Sequence, residues 1–431
     1  MRSLRLLKDS KLAMTDITKM SELLSEGLII LVGAAQIGCK IGTSKDLLFS
    51  ICFMPLQEGE MGEAQDTGNN AQASDSLPAW IPAVKAIAEP LITDGVLPGL
   101  IVRVEQEAGA PDVLCLGSDW DGQPLEEESF FPVASITKLA TALAILRLAD
   151  LGFLSLDDPL ERFLPDAAAA VDDVTPRALL CHTSGLPEDL PQGAAPYTAS
   201  LDWPTLAQAF LVTPLAIRPW RLVNYSNTGY ALLAVIIERL ARLPYPLAIR
   251  ELVLSPLEID GSLGEEPPRR PVRIAGDWGE HQGTALEPYN SPFWRALGLP
   301  YGGLLTTVQG ALRLVQAYAG VPQGFLPETL LRDATSDQTG GLPGNFVGLM
   351  SWAPGPWGLG VELRGVKSPH AVTPQASPGS YGHLGASGAQ AWKDPAAGLA
   401  WTILGPRTFY DWWQQLTRLS TAILTAPHQD S

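Results

Sequence analysis

Cysteine and histidine are scarce in this chain, with four and five residues among 431. Cys39, Cys52, Cys115 and Cys181 stand far apart with no C-x-x-C pair, so neither a disulfide framework nor a cysteine zinc site is suggested. The histidines form no H-x-x-x-H or H-x-H pair, which leaves metal chemistry without a visible ligand set. Basic residues are also short, 29 Lys and Arg against 46 Asp and Glu. The net charge of -17 repels phosphate backbones and anionic membrane surfaces, so nucleic acid is not an expected partner. Long apolar runs are missing too: 28–38 and 47–56 fall well short of the ~20 residues that span a bilayer, and no transmembrane helix is expected. The first basic residues are followed by Asp9, Asp16, Glu22 and Glu26 before any apolar run, unlike a secretory signal. A cytoplasmic location is the expectation, with export to the periplasm or beyond as the alternative.

What is present is 46% hydrophobic content, enough for a large core, in a chain long enough for two or three domains. Residues 1–77 read as an N-terminal extension and flexible linker, because 58–76 is acidic, small and polar with no aromatic. Met61 inside it is a second candidate for the translation start. From Ala79 the texture is globular. "AWIPAVKAIAEPLI" has helical spacing, and "VLPGLIVRVEQ" and "DVLCLGS" read as strands joined by a turn around Gly109 to Pro111. Residues 78–150 then form the first part of an α/β domain. Residues 151–300 break into short helices separated by Pro and Gly, a helical domain in which Thr175 and Pro176 make a good helix start. Residues 301–431 return to strands, with a hairpin link at Asp394 and Pro395, and supply the second part of the α/β domain. A final helix carries Trp412, Leu416, Leu419 and Ile423 on one face, suited to covering a sheet.

The stretch "FFPVASITKLATALAILRLADLGF", 130–153, reads as a helix apolar on nearly every side, with Ser135 and Lys138 in its first turn. Burying an unpaired ammonium there is costly. Either Ser135 caps the helix while Lys138 snorkels to water, or the two are a nucleophile and its base. Ser135 is the only serine with a lysine three residues on, a spacing that stacks both side chains on one helical face. A lysine removes a serine proton only when its pKa is depressed, and an apolar helix offers the desolvation. Ser135 at a helix start also aims its own N–H at a developing oxyanion.

Tyr225-Ser226-Asn227 is the only Y-x-N in the chain and precedes an amphipathic helix. A tyrosine beside the ammonium can relay a proton, and Asn227 can bond both Lys138 and a substrate amide. The plainer alternative is a turn whose Asn caps the helix and whose Tyr is core. His383-Leu384-Gly385 shares its H-x-G pattern with His281 to Gly283, and K-x-G occurs at Lys40 to Gly42. Only His383 opens a strand that feeds a second one, where the N–H of Ala386 on an exposed sheet edge can serve as the other oxyanion donor.

The blocks "FFPVASITKLATALAIL", "GFLSLDDPLERFLPD", "RALLCHTSGLP", "NYSNTGYALL", "YGGLLTT" and "YGHLGASGAQAWKDPAAGLAWTIL", in this order, resemble the β-lactamase-related serine hydrolases, close to class C β-lactamases and serine D,D-peptidases. The resemblance covers about 76–426. It implies an α+β fold, an antiparallel sheet flanked by helices with an inserted all-helical domain, and an active site at their junction. It implies Ser135 as nucleophile, Lys138 as base, Tyr225 as proton shuttle, Asn227, His383 and Gly385 at the substrate, and Ser135 and Ala386 as oxyanion donors. It implies neither metal nor organic cofactor, and reads His182 of "HTSGL" as a satisfied structural histidine. The Pro-Gly turn before the tyrosine motif is absent. His383 stands where true β-lactamases carry lysine, and a histidine is largely neutral at pH 7, so the grip on a substrate carboxylate weakens. The expected substrate is a small ester, amide or peptide, cleaved through a Ser135 acyl-enzyme. A true β-lactamase or D,D-peptidase, and a binding or sensor protein without turnover, are the alternatives.

Overall fold

Six antiparallel strands make the central sheet, drawn from both the early and the late part of the described residues. The computed structural model describes residues 77–107 and 111–427. The extension and linker expected over 1–77 thus lie outside the described residues except for Leu77, as does the turn at Gly109 except for Pro111. Helix α1 (Trp80–Thr93) is followed by strands β1 (Gly99–Gln106) and β2 (Asp112–Gly117), then helices α2 (Thr137–Asp150), α3 (Asn227–Ala241) and α4 (Val308–Tyr318). Strands β3 (Glu362–Leu363), β4 (Tyr381–Gly385), β5 (Ala389–Asp394) and β6 (Leu399–Leu404) come next, and helix α5 (Trp413–Thr425) closes the chain. The spatial order β2-β1-β6-β5-β4-β3 joins the first strands to the last through β1 and β6, with Val102 opposite Ile403 and Val104 opposite Trp401.

Helices cover both faces of this sheet. On one face α1 and α5 pack together, and Trp80, Val84, Leu416, Leu419 and Ile423 share a core with Val102, Val104, Trp392 and Trp401. Each such aliphatic side chain contributes about 1.5–3 kcal/mol on burial. From the other face Glu105 accepts a hydrogen bond from Gln316 of α4. Burial on both sides explains why β4, β5 and β6 are buried at every position and show no alternation. The β5–β6 link forms as a hairpin whose Asp394 carboxylate accepts from the N–H groups of Ser377 and Ala396 and from the Ser377 hydroxyl.

Between 151 and 300 the only strands are the two-residue segments Val223–Asn224 and Gly261–Ser262. No helix among the described residues is long and apolar enough to cross a membrane. One expectation needs correction at the helix read over 130–153. Phe131–Pro132 is a strand paired with Leu305–Thr306, Ala134–Ile136 is a 3-10 turn, and the α-helix begins at Thr137. Pro132 has no N–H to give a helix, and Ala134 has φ of 45°, a left-handed conformation that a helix cannot contain.

Candidate active site

The turn that carries Ser135 is held from two sides. The Val133 N–H donates to the Leu304 carbonyl at 3.0 Å, and the Leu304 N–H donates to the Thr137 hydroxyl at 3.0 Å. The "YGGLLTT" segment therefore clamps the residues on either side of the serine. Strand β4 presses on the same turn. A Cβ added to Gly385 would lie 2.3 Å from the Val133 carbonyl oxygen, so only glycine lets the strand approach this closely. The left-handed Ala134 is the bend that lifts Ser135 out of the preceding strand, a conformation costing on the order of 1 kcal/mol that the two clamps maintain.

Lys138 is fully buried, and its Nζ lies 3.2 Å from Ser135 Oγ, 2.8 Å from Asn227 Oδ1 and 3.1 Å from the Tyr301 carbonyl oxygen. The side chain does not snorkel. Burial pushes its pKa well below the ordinary lysine value, against the opposing pull of Asp189 and Glu188. The partners then dictate how a neutral amine sits. Asn227 Oδ1 and the Tyr301 carbonyl can only accept, so they take the two N–H bonds. In that neutral form the lone pair is left for Ser135 Oγ, the one partner with a proton to donate.

The Tyr225 motif is folded onto this group by the loop that begins at His182. The Asn224 N–H donates to the His182 carbonyl, the Ser226 N–H to His182 Nδ1 at 3.1 Å, and the Asn227 N–H to the Glu188 carbonyl at 2.7 Å. Ser226, not Asn227, caps α3, through a 3.0 Å bond from the Gly229 N–H. The Asn227 side chain is thereby free to accept from Lys138 and to donate to Asp189 Oδ2 at 3.0 Å. The Tyr225 ring sits 4.5 Å from Lys138 Nζ, and burial raises its phenol well above the ordinary range. Ser135 favours its ionisation, yet the hydroxyl makes no well-formed hydrogen bond within the protein.

His383 lies in the middle of β4 rather than at its start, fully buried, with Nδ1 donating to the Leu384 carbonyl at 2.7 Å. Its ring centroid is 6.0 Å from that of Tyr225, and burial followed by the nearby Lys138 charge lowers its pKa to about 4. The ring is neutral at pH 7, and its Nε2 is an unpartnered acceptor. Strand β4 is not the sheet edge, since β3 flanks it, but β3 pairs with Tyr381 and Gly382 alone and leaves 383–385 uncovered on that side. The N–H groups of Ser135 and Ala386 bond no acceptor among the described residues.

Ser135, Lys138, Tyr225 and Asn227 are thus brought together, with the His383 ring near the tyrosine. His281, the other histidine of an H-x-G pattern, lies apart from them, partly exposed and 4.9 Å from the Tyr197 ring. Four contributors escape sequence reasoning. Glu188 and Asp189 reach Lys138 only through space, Tyr301 acts through its carbonyl, and Trp357 stacks 4.9 Å from His182 and 5.8 Å from Tyr225. His182 is a correction as well: one nitrogen is bonded but Nε2 is buried without a partner, and its ring lies 4.7 Å from Tyr225. No group of His, Cys, Asp and Glu among the described residues is arranged to hold a metal ion.

Comparison with known proteins places these features in context. The model of the beta-lactamase family matches residues 113–410. Esterase EstB of Burkholderia gladioli is 32% identical over 302 residues, 61% of this chain and 75% of the esterase. Penicillin-binding protein 4 of Amycolatopsis lactamdurans is 28% identical over 281 residues, 62% of this chain and 69% of that protein. The solved structure of D-amino acid amidase from Ochrobactrum anthropi SV3 with D-phenylalanine has a TM-score of 0.64 at 23% identity, covering 80% of this chain and 99% of that one, a likeness of fold.

Proposed function

The chain belongs to the beta-lactamase family and is a serine hydrolase, and from that premise we propose that it cleaves an ester or small amide through an acyl-enzyme on Ser135. The observation that carries this reading is the fully buried Lys138 amine, 3.2 Å from Ser135 Oγ, with its other two partners able only to accept. In the first step Ser135 Oγ attacks the carbonyl carbon while its proton passes to the Lys138 lone pair. The oxyanion is met by the N–H groups of Ser135 and Ala386. As the tetrahedral intermediate collapses, Tyr225 gives its proton to the leaving alkoxide or amine and is reprotonated from the Lys138 ammonium. Water then attacks the acyl carbon, its proton is taken by the same Tyr225–Lys138 pair, and Ser135 leaves as the hydroxyl.

The substrate class follows from charge. A neutral, buried His383 offers no cation to a carboxylate, and the exposed Glu188 and Asp189, which act on Lys138, repel one. Esters and amides lacking a carboxylate beside the scissile bond are favoured over β-lactams and terminal D-alanine peptides. EstB, by its name an esterase, is in line with that preference. The test is Ser135→Ala assayed with p-nitrophenyl butyrate, alongside fluorophosphonate labelling. Turnover and label are expected to vanish with the melting temperature unchanged; hydrolysis at the parental rate would refute the assignment.

A further inference from the structure

Next to Trp357, whose ring lies 5.8 Å from that of Tyr225, is a second group of ionisable residues that the proposed reaction does not use. Lys367 Nζ is 2.8 Å from Glu362 Oε1, and His370 Nε2 is 3.0 Å from the same oxygen, with all three side chains essentially without solvent exposure. The tautomer is fixed by bonding. His370 Nδ1 accepts the Val372 N–H at 3.1 Å, so Nε2 carries the proton, donates to Glu362, and the ring is neutral. The cluster therefore consists of one anion, one cation and one neutral donor.

Its reach toward the site runs through tryptophan. The Lys367 ammonium lies over two rings, 4.7 Å from the Trp352 centroid and 4.9 Å from that of Trp357. Trp357 is buried and lies 4.9 Å from His182, 5.8 Å from Tyr225 and 5.9 Å from His383. One cation thus joins a buried carboxylate to the ring that abuts all three aromatic groups of the tyrosine side. A buried ion pair is weak evidence of stabilisation, since apolar residues of the same volume often do as well. The position of this one calls for another explanation.

We propose that Glu362, Lys367 and His370 are positioning residues for the hydrolytic site: Lys367, anchored by Glu362, holds Trp357 against Tyr225, His182 and His383, and the pair keeps the local charge balanced. The proposal rests on the reading of Tyr225 as the proton relay. The charged and titratable groups around His383 are Lys138, His182, Tyr225, Glu362 and Lys367, so its titration reports the balance directly.

The experiment uses the full chain labelled with 15N-histidine, in the parent and in Lys367→Met, Glu362→Gln and the double variant. Lys367→Met leaves Glu362 uncompensated, and His383 is expected to titrate above its parental value of about 4. Glu362→Gln leaves Lys367 uncompensated and moves it the other way, and the double variant returns it to the parental position. In all three kcat for p-nitrophenyl butyrate falls roughly tenfold or more with KM little changed, because placement and not binding is lost. Folded variants with parental titration and parental kcat would overturn the proposal and leave the cluster a stabilising element only. Should a single variant fail to fold, the double variant, with no unpaired buried charge, decides alone: a roughly tenfold loss of kcat at parental KM supports the proposal, and parental kcat overturns it. The titration needs no turnover, so its outcome is separate from the Ser135→Ala test.

Discussion

The proposed chemistry turns on one amine whose surroundings disagree about its charge. Burial drives Lys138 toward the neutral form, while Asp189, hydrogen-bonded to the same Asn227 that bonds the amine, favours the ammonium. Because Asp189 raises the lysine pKa, its removal lets that pKa fall further. In Asp189→Asn the acidic limb of kcat/KM, below which Lys138 is protonated and cannot act as base, is expected at lower pH than in the parent. A limb that moves up, measured with p-nitrophenyl butyrate across the same buffers, would contradict this assignment. The Ser135 to Lys138 spacing is visible in the sequence because the 3-10 turn of Ser135 runs directly into the α-helix that carries Lys138. The Asp189 contribution is not, because 51 positions separate it from Lys138 along the chain and only the fold joins them.

At the scale of elements, the turn that carries Ser135, the proposed nucleophile, depends on how near β4 can come. Gly385→Ala puts a methyl group 2.3 Å from the Val133 carbonyl oxygen, backbone against backbone, with no flexible side chain to yield. A destabilisation of about 1–3 kcal/mol is expected from such overpacking, read as a lower melting temperature, together with a loss of kcat as Ser135 shifts. Parental stability and kcat would mean that the strand does not set the turn. The long elements here are readable in sequence: the two terminal helices from their apolar faces, the β5–β6 hairpin from Asp394 and Pro395. The start of α2 is not. Phe130 and Phe131 extend the apolar pattern of the helix back over an isolated bridge and the two-residue strand Phe131–Pro132, too short to show any period, and the left-handed Ala134 leaves no mark in the composition. For the same reason the strand at Glu362–Leu363, which bears the buried carboxylate, has no signature.

Across the whole molecule, His182, His370 and His383 are all buried, and burial pulls each below the ordinary histidine pKa near 6.5. In the fold they stay neutral where the unfolded chain would take up protons. Below about pH 6.5 the unfolded state therefore binds more protons, and stability falls with decreasing pH, by up to about 1.4 kcal/mol per unit for each ring. Urea unfolding at pH 7 and pH 5 is expected to show the loss; equal or greater stability at pH 5 would contradict the neutral assignment of these rings. The sheet, its covering helices and the clamps around Ser135 converge on one requirement, that a lysine amine be kept dry against a serine hydroxyl. The most direct measurement is the pH dependence of fluorophosphonate labelling at Ser135, in the parent and in Lys138→Ala. The account predicts a parental limb well below the ordinary lysine value of 10.5 and its disappearance, with much slower labelling, in the variant. A limb at the ordinary lysine value, or a variant labelled as fast as the parent, would contradict it.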